Sequence, residues 1–382
     1  MIFTCERNVL LKEVAIAQEI IASKNATSIL SNMYLDAKEE ILSIKSTDLK
    51  VNFETTVPVN VEEAGSMTVF GDKFLSILNA VPEGELRFGQ TDTRIDIIPK
   101  ESDADETRNE KSDKKKNKKF KFQLKGIIAE NFPEFPTANE DSFFEIPVKD
   151  FKEMVTQTIF SVSDDETRYY MTGVFFEKSE DKLIMVATDG RRLAYIARET
   201  NSAVPDFNGV IIPPKILTII SKHAGDEGLL AISVSGKNIF IRFGSYNLSS
   251  VLIEGTFPNY RRVIPESQNF TVIIDRIKLL SAIRRVSLLA EGNSRKIYLK
   301  LMNKLASVEI EENEFGMAQE DIDCQYEGPE FSIALNYRYL EEPFKVMNEN
   351  DVCIQFVNAN KAITICPEPE NIFFHVVMPM QI

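Results

Sequence analysis

The sequence predicts an α+β fold in which helices cover one face of antiparallel sheets, repeated as three similar domains. The first observation is that a short strand-like segment runs directly into an apolar helix pattern at three places, beginning at Ile2, Phe144 and Phe270. The second is that strands alternate apolar and polar residues, without strand–helix–strand units of crossover length. A chain of 382 residues has room for three domains of about 120 residues each. We therefore expect domains at residues 1–143, 144–268 and 269–382.

Each expected domain carries two helix patterns separated by a strand meander. The first helix of each copy is expected at residues 9–21, 151–160 and 277–289, and the second at 73–78, 215–220 and 337–340. Pro343 follows the last of these patterns, where a proline either begins a helix or kinks it. Repeats of this length are whole domains rather than solenoid units, which is typical of a scaffold with a defined shape.

Alternating strands joined by turns fill the rest of each copy, and one segment departs from this pattern. Residues 33–38 and 41–47 predict a hairpin, and residues 183–188 and 239–243 predict further strands. Of the 20 residues at 100–119, 14 are charged and none is aromatic or a large aliphatic. Such a segment cannot bury enough surface to offset the entropy of ordering it. We expect a disordered insertion at the tip of a hairpin with arms at 93–98 and 120–124, acting either as a basic arm or as a solvated loop.

The composition favours a soluble, cytoplasmic protein with real apolar cores. Apolar residues make up 43% of the chain, yet no apolar run reaches the roughly 18 residues of a membrane span. The four cysteines, Cys5, Cys324, Cys353 and Cys366, show no spacing typical of a metal motif. A reducing cytoplasm without disulfides fits this pattern, and we expect neither metal nor cofactor.

The charge is strongly acidic but uneven. A formal net charge of −14 argues by itself against binding nucleic acid, because phosphate binding needs a cationic surface. However, the helix expected at 277–289 and its approach carry Arg276, Lys278, Arg284 and Arg285 with no acidic residue. An acidic shell with cation-only helices is what a ring around DNA would have, although an ordinary acidic protein can show it too.

The sequence contains no recognisable catalytic constellation. It has no Walker loop, dinucleotide fingerprint or nucleophile elbow, and its two histidines lie outside metal spacing. Asp189 follows a strand at a turn, where an aspartate most simply bonds its own backbone. A metal-dependent enzyme would need Asp164, Asp165 and Asp189 to converge in the fold. The pattern therefore favours a binding protein over an enzyme.

Six segments, in order along the chain, carry a resemblance to a known family. They are TDL at residues 47–49, FPEFP at 132–136, RYYMTG at 168–173, ATDGRRLA at 187–194, FPNYRRVIP at 257–265 and VVMPMQI at 376–382. Together they closely resemble the bacterial DNA polymerase III β subunit family, the sliding clamps, over the whole chain apart from the insertion. The resemblance implies a DNA clamp fold, with sheets outside and two helices per domain lining a hole. It also implies two protomers closing head-to-tail around double-stranded DNA as a non-enzymatic processivity factor.

The resemblance further implies a cleft that binds partner peptides between the second and third domains. Its apolar residues and methionines would adapt to different ligands, and rim arginines would orient them. The implied residues are Met171, Thr188, Gly190, Arg191, Arg192, Leu193, Pro258, Arg262, Val263, Asn360, Ala362, Val376, Val377, Met378, Pro379, Met380, Gln381 and Ile382. The replicative polymerase, the clamp loader, and repair and translesion polymerases would share this cleft.

The same resemblance points to DNA contacts and to a protomer interface. Lys24, Tyr169, Tyr170 and Lys215 would contact DNA through phosphates, because a sliding ring must not read bases. The two tyrosines are equally compatible with a core position. The interface pairs Phe122 and Leu124 of the first domain with Leu288 and Leu289 of the third. A peptide-binding scaffold with no DNA role remains the alternative, alongside the metal-dependent enzyme.

Overall fold

The computed structural model describes residues 1–22, 28–100, 120–200, 204–290 and 294–381. The chain forms two compact units. The first unit comprises Met1–Phe143, Lys222–Ala224 and Leu229–Val251, and the second comprises Phe144–Ser221, Gly225–Gly228 and Leu252–Ile382. Within the described residues, none of the helices is both long and apolar enough to cross a membrane.

Strands and helices follow one another in the order that the repeat predicts. The first third contains β1 (Ile2–Glu6), α1 (Arg7–Ile20), β2 (Asn32–Lys38), β3 (Ile41–Thr47), β4 (Val51–Pro58), β5 (Asn60–Glu63), β6 (Gly65–Phe70), α2 (Gly71–Ala80), β7 (Glu85–Thr91), β8 (Arg94–Pro99) and β9 (Phe122–Lys125). The second contains β10 (Phe144–Pro147), α3 (Val148–Thr156), β11 (Val174–Ser179), β12 (Lys182–Thr188), β13 (Arg192–Glu199), β14 (Val210–Ile212), α4 (Pro214–His223), β15 (Leu229–Ser235), β16 (Asn238–Phe243) and β17 (Tyr246–Val251). The last contains β18 (Phe270–Asp275), α5 (Arg276–Val286), β19 (Lys296–Met302), β20 (Leu305–Asn313), β21 (Gly316–Gln325), β22 (Phe331–Asn336), α6 (Tyr337–Val346), β23 (Asp351–Phe356), β24 (Ile363–Glu368) and β25 (Phe373–Val377).

The first unit holds two antiparallel arrangements of strands. One sheet has the order β5-β1-β7-β8-β9, and a second run has the order β15-β16-β17-β4-β3-β2-β6. In the second run, β4 pairs with β17 through Phe53 opposite Leu248. The arms of the predicted hairpin pair as β8 and β9, with Ile97 opposite Phe122, which confirms that prediction. The predicted insertion itself lies outside the described residues, apart from Lys100.

The second unit holds a twelve-stranded sheet in the order β14-β11-β12-β13-β25-β24-β23-β18-β21-β20-β19-β22. Its strand pairs are antiparallel throughout. The meander β11-β12-β13 joins the meander β23-β24-β25 through β13 and β25, with Leu193 opposite Val376. This junction uses the last strand of each meander, as the junction of β4 with β17 does in the first unit.

The helices form because apolar residues recur on one face, and a polar side chain caps the start of α5 and of α6. In α1 the buried positions Leu10, Val14 and Ala17 are three or four residues apart and are fully buried. At the start of α5 the Asp275 carboxylate accepts a hydrogen bond from the Lys278 amide at 2.8 Å. Pro343 lies inside α6, where it removes the amide that would donate to the carbonyl four residues earlier.

The two predicted helices for each copy are confirmed, with one difference at their ends. The patterns at 151–160 and 277–289 are longer than the α-helices that form there. In both places the helix is followed by a separate 3₁₀ turn, at Ile159–Ser161 and Ser287–Leu289. At the first of them the Thr158 hydroxyl donates to the Met154 carbonyl at 2.7 Å, so a side chain competes for the helix's last acceptors.

Candidate functional site

A cleft of about 130 Å³ opens in the second unit beside the junction of β13 with β25. One wall is the turn between β12 and β13, and another is the chain that leaves β25. The two walls are held together by the β13–β25 ladder, which continues when the Met378 amide donates to the Arg191 carbonyl at 2.9 Å. Two segments 190 residues apart in sequence, at Thr188 and Met378, therefore form one site.

The turn between β12 and β13 is rigid because it is closed by its own side chains. The Thr188 hydroxyl donates to the Arg192 carbonyl at 2.5 Å. The Asp189 carboxylate accepts hydrogen bonds from the amides of Arg191 at 2.8 Å and Arg192 at 3.1 Å, as predicted for an aspartate at a turn. Gly190 has φ of +86°, a left-handed conformation that favours glycine.

Ten of the eighteen residues implied for the cleft line it. They are Met171, Thr188, Gly190, Arg191, Arg192, Leu193, Pro258, Val263, Val376 and Met378. Val263 and Met378 are the most available to a ligand, with 53% and 46% of their surface exposed. Asn259 and Tyr260 also line the cleft and were not predicted, although they stand between two predicted residues of the same segment.

Other implied residues do not line the cleft. Val377 is fully buried because successive side chains of a strand point to opposite faces, and Val376 takes the cleft side. Ala362 packs against the apolar cluster beneath the cleft rather than lining it. The Met380 amide donates to the Ala334 carbonyl of β22 at 2.8 Å, which directs the tail away. Arg262, Asn360, Pro379 and Gln381 also lie outside the cleft lining, and Ile382 lies outside the described residues.

The two adjacent arginines of the turn have different environments. Arg191 is exposed, as expected of a rim residue. Arg192 is not a free rim arginine, because only 8% of its side chain is exposed. Its guanidinium pairs with Asp189 at 3.0 Å and with Glu342 of α6, donates to the Phe160 carbonyl at 2.5 Å, and stacks over a tyrosine ring of α6. Arg192 therefore anchors the turn, and only Arg191 offers its charge to a ligand.

An aromatic cluster forms the floor of the cleft. Phe175 stacks on Phe257 with ring centroids 4.8 Å apart. The Tyr260 hydroxyl donates to the Glu177 carboxylate at 2.5 Å. Burial and this carboxylate raise the pKa of Tyr260, so the phenol stays a neutral donor. Because its polar atom is satisfied inside the cluster, Tyr260 presents the cleft with a fixed apolar surface.

The residues implied for DNA contact differ in how far their side chains are exposed, and one of them is not described. Lys24 lies outside the described residues. Lys215 is half-buried near the start of α4. Tyr169 is 51% exposed, whereas Tyr170 packs against the apolar cluster beneath the cleft. Of the two tyrosines, Tyr169 is thus the one with surface available for a phosphate.

Two of the four cations on the cation-only helix α5 are neutralised by acidic residues. Arg284 of α5 pairs with Glu341 at 2.9 Å, and Arg285 bonds Glu320 at 2.8 Å. Arg276 donates to the Phe344 carbonyl at 2.8 Å. The acidic partners come from neighbouring elements, so a count of charges along one helix overstated its positive field.

Two of the implied interface residues lie at a sheet edge, and the other two lie in the 3₁₀ turn that follows α5. Phe122 and Leu124 are half-buried on β9, the edge strand of the five-stranded sheet. Leu288 has 82% of its surface exposed, while Leu289 is half-buried. A single exposed leucine is common on protein surfaces, so its meaning depends on the apolar residues beside it.

Two further apolar residues belong beside Leu289 and were not predicted. Phe315 and Met317, at the turn between β20 and β21, are 61% and 66% exposed. They lie near Leu289, whose carbonyl accepts a hydrogen bond from the Asn313 side chain at 3.0 Å. The sequence could have indicated these two residues as part of an apolar surface, because they are large and apolar within an otherwise acidic hairpin.

The aspartates of the enzyme alternative have other partners. Asp165 accepts hydrogen bonds from the Thr167 amide at 3.0 Å and from Arg168 at 2.8 Å. The hydrogen bond from the Thr167 hydroxyl, followed by that from Arg168, holds the pKa of Asp165 below its usual range. Asp189 is held by the turn and by Arg192. Within the part of the chain that the structure describes, Asp164, Asp165 and Asp189 do not form a group that could share a metal ion.

Tandem copies of antiparallel sheet with two helices each, joined edge to edge beside a cleft, define the clamp class of structure. A DnaN sliding clamp (DNA polymerase III subunit beta) from Pseudomonas aeruginosa has this architecture, with a TM-score of 0.91 at 25% identity over 100% of both chains. The corresponding clamp from Bartonella birtlesii matches with a TM-score of 0.90 at 27% identity, again over 100% of both chains.

The chain belongs to the DNA polymerase III beta subunit family. The models of its N-terminal, central and C-terminal domains match residues 1–136, 145–259 and 261–381. The Beta sliding clamp of Treponema pallidum is 40% identical over 99% of this chain and 98% of its own length. That of Proteus mirabilis is 29% identical over 100% of both. The function is that of a sliding clamp in DNA replication, and the family implies partnership with DNA and polymerase in a dimeric ring.

Proposed function

We propose that two copies of the chain close head-to-tail around duplex DNA and hold the replicative polymerase through a short peptide bound in the cleft. The observation that carries the peptide site is the cleft itself, whose walls come from the β12–β13 turn and from the C-terminal strand. Val263 and Met378 stand exposed at its mouth over a fixed aromatic floor. Exposed apolar side chains beside a concave apolar surface suit a ligand with apolar anchors.

The energetics favour a weak and exchangeable ligand. Each buried apolar anchor contributes roughly 1.5–3 kcal/mol before the costs of ordering are subtracted. Two or three anchors therefore permit micromolar binding and rapid exchange. Met378 can repack around different side chains, so the clamp loader and repair and translesion polymerases can share the cleft with the replicative polymerase. Arg191 supplies a charge that orients a peptide carboxylate or carbonyl.

A fluorescence-polarisation titration with the C-terminal peptide of the replicative polymerase tests the cleft. Deleting residues 378–382 should abolish binding, because Met378 and its backbone link to Arg191 are lost. Val263→Asp should do the same by placing an unpaired charge against apolar surface. Ile128→Asp is the matched control, because Ile128 is 57% exposed and lies in the first unit. Unchanged affinity in both cleft variants would remove the cleft from the proposal.

Ring closure follows from the repeated edge junction. Within the chain, the last strand of one meander pairs with the last strand of another twice, as β4 with β17 and as β13 with β25. Two meanders have a last strand with backbone groups left for such a junction. The strand β9 lies at the edge of its sheet, and β21 lies between β20 and β18 but pairs with β18 only through Ile273 and Ile274. We infer that β9 of one copy pairs with β21 of the other. Phe122 and Leu124 would then pack near Leu288, Leu289, Phe315 and Met317.

For DNA, we propose phosphate contacts from Lys24, Lys215 and Tyr169 and, with less available surface, from Tyr170. Such contacts carry no base information, which a sliding ring requires. A topological test separates this function from a peptide-binding scaffold without a DNA role. A ring loaded on closed circular DNA should remain bound and should leave once the circle is cut. Equal retention on circular and linear DNA would contradict encirclement.

The remaining parts of the proposal concern the chain as a whole. We infer boundaries at 1–143, 144–268 and 269–382, supported by the strand that runs into a helix at the start of each third. We also infer that the protein acts without catalysing a reaction, and that it works in the cytoplasm, where bacterial DNA is replicated. A nuclease or phosphatase activity that copurifies with the protein and is lost in Asp165→Asn would contradict the inference that the protein catalyses no reaction.

A further inference from the structure

Two cysteines and a carboxylate converge on the β23–β24 hairpin, away from the residues assigned above. Cys353 of β23 and Cys366 of β24 are directly opposite each other in the ladder, and both are buried. Glu370 follows β24 and brings its Oε1 to 3.8 Å from the Cys366 sulfur. One ligand atom from each of the three residues lies within 4.8 Å of the others.

We propose that Cys353, Cys366 and Glu370 form a binding site for a thiophilic divalent cation, for which Zn²⁺ is the best match. Zn²⁺ binds thiolate sulfur at about 2.3 Å and carboxylate oxygen at about 2.0–2.2 Å, usually with tetrahedral geometry. Tetrahedral ligands at those lengths are about 3.3–3.8 Å apart. The three atoms therefore need to close by about 1 Å at most, which side-chain rotation can provide.

The surroundings of the three residues support a cation. The Gln355 side chain donates to Glu370 Oε1 at 2.6 Å, which fixes the carboxylate oxygen that lies 3.8 Å from the Cys366 sulfur, and the carboxylate keeps further lone pairs for a cation. Hydrogen bonds of this kind orient metal ligands. Glu368, beside the site, stands opposite Asp351 in the same ladder, and these acidic groups add negative potential. Because Glu370 is exposed, the fourth tetrahedral position is open to a water molecule.

Spacing along the chain concealed this site. The two cysteines are 13 positions apart, with a loop between them, which matches no short metal motif. Only the register of the hairpin brings them together, since a shift of one residue would point one of the sulfurs to the opposite face. A bound cation would cross-link β23 and β24 through their side chains, in addition to the backbone ladder. The strand β24 also pairs with β25, which lies beside the cleft.

The test is a titration of the reduced full-length protein with Co²⁺ under anaerobic conditions. We expect one Co²⁺ per chain, with thiolate-to-cobalt charge-transfer absorption and the visible bands of a tetrahedral ion. One equivalent of Zn²⁺ should displace it, because Zn²⁺ binds such sites more tightly than Co²⁺. Cys353→Ser and Cys366→Ser should each lose the charge-transfer band, and Glu370→Gln should weaken binding at least tenfold.

Cys324→Ser is the matched control, because Cys324 is a free, half-buried cysteine on β21 that does not belong to the cluster. It should bind Co²⁺ as the parent does. If a serine variant fails to fold, X-ray absorption of the Zn²⁺-loaded parent should still show two sulfur scatterers at about 2.3 Å. A reduced parent without a thiolate band would overturn the site, as would loss of the band in Cys324→Ser. Formation of a Cys353–Cys366 disulfide in air by a protein that binds no Co²⁺ when reduced would identify a redox pair instead.

Discussion

Replacing Arg192 by alanine should destabilise the second unit far more than replacing its neighbour Arg191. Arg192 holds the β12–β13 turn to Asp189 at 3.0 Å, to the Phe160 carbonyl at 2.5 Å and to Glu342 of α6. Alanine leaves two carboxylates and a carbonyl without their cation. Asp189 is only 15% exposed, so water cannot replace the lost partner there.

The magnitude follows from how much of the network is buried. Removing one member of a buried ion pair costs about 3–5 kcal/mol. Glu342 is 33% exposed and regains some hydration, which places the expected loss near the lower end, at about 3 kcal/mol. For a unit of roughly 200 residues, each kcal/mol lowers the transition midpoint by about 2–4 °C. The expected fall is therefore about 6–12 °C.

Differential scanning calorimetry of the two variants measures this difference directly. Arg191→Ala is the matched control, because it removes the same side chain from an exposed position one residue away, and its effect should stay within about 0.5 kcal/mol. In the peptide titration, Arg191→Ala should weaken binding although the fold is unchanged. A loss below about 1 kcal/mol in Arg192→Ala, or equal losses in both variants, would refute the anchoring role.

Three further predictions concern other parts of the molecule. Burial lowers the pKa of His375 from 6.5 to about 3, so its contribution to stability is present above pH 6.5 and is lost below pH 6.5 by about 1.4 kcal/mol per pH unit. His375→Phe should remove that pH dependence of the free energy of unfolding in calorimetry. The same pH dependence in the variant and the parent would contradict the assignment. Changing Leu288 and Leu289 together to aspartate should leave folded monomers, because unpaired charge enters an apolar contact, and a variant that sediments as a dimer at micromolar concentration would argue against this interface. Lys215→Ala should make the salt dependence of DNA binding shallower by about one unit, and an unchanged slope would exclude a phosphate contact.

Local patterns allowed much of the fold to be predicted. Helix periodicity located α1 to α6, and alternation located the β8–β9 hairpin, because both signals depend on residues close in sequence. The turn at Asp189 was predictable for the same reason, since its hydrogen bonds reach only two or three residues along the chain. The family resemblance then supplied the cleft segments.

Features that depend on distant partners could not be predicted. Arg191 and Arg192 are adjacent residues of the same type, so sequence alone does not distinguish their environments. They differ because Glu342, 150 residues further along the chain, pairs with Arg192 and not with Arg191. The resemblance implied that both Val376 and Val377 line the cleft. Because successive side chains of β25 point to opposite faces, Val377 is instead buried in the core. The apparent positive charge of α5 was overstated because Glu320 and Glu341 come from other elements.

The division between rigid and exposed parts of the cleft supports the proposal that one site serves several partners. Its backbone is fixed by the β13–β25 ladder, by the closed turn at Gly190 and by the buried Arg192 network. Adaptation to different peptides must then come from side chains at the mouth rather than from movement of the walls. Met378 and Val263 are the exposed apolar side chains there, and methionine, with its unbranched chain, can fill differently shaped gaps. Replacing Met378 by the branched residue isoleucine should therefore narrow the range of peptides bound more than it lowers the affinity for any single one, because apolar area is kept while adaptability is lost.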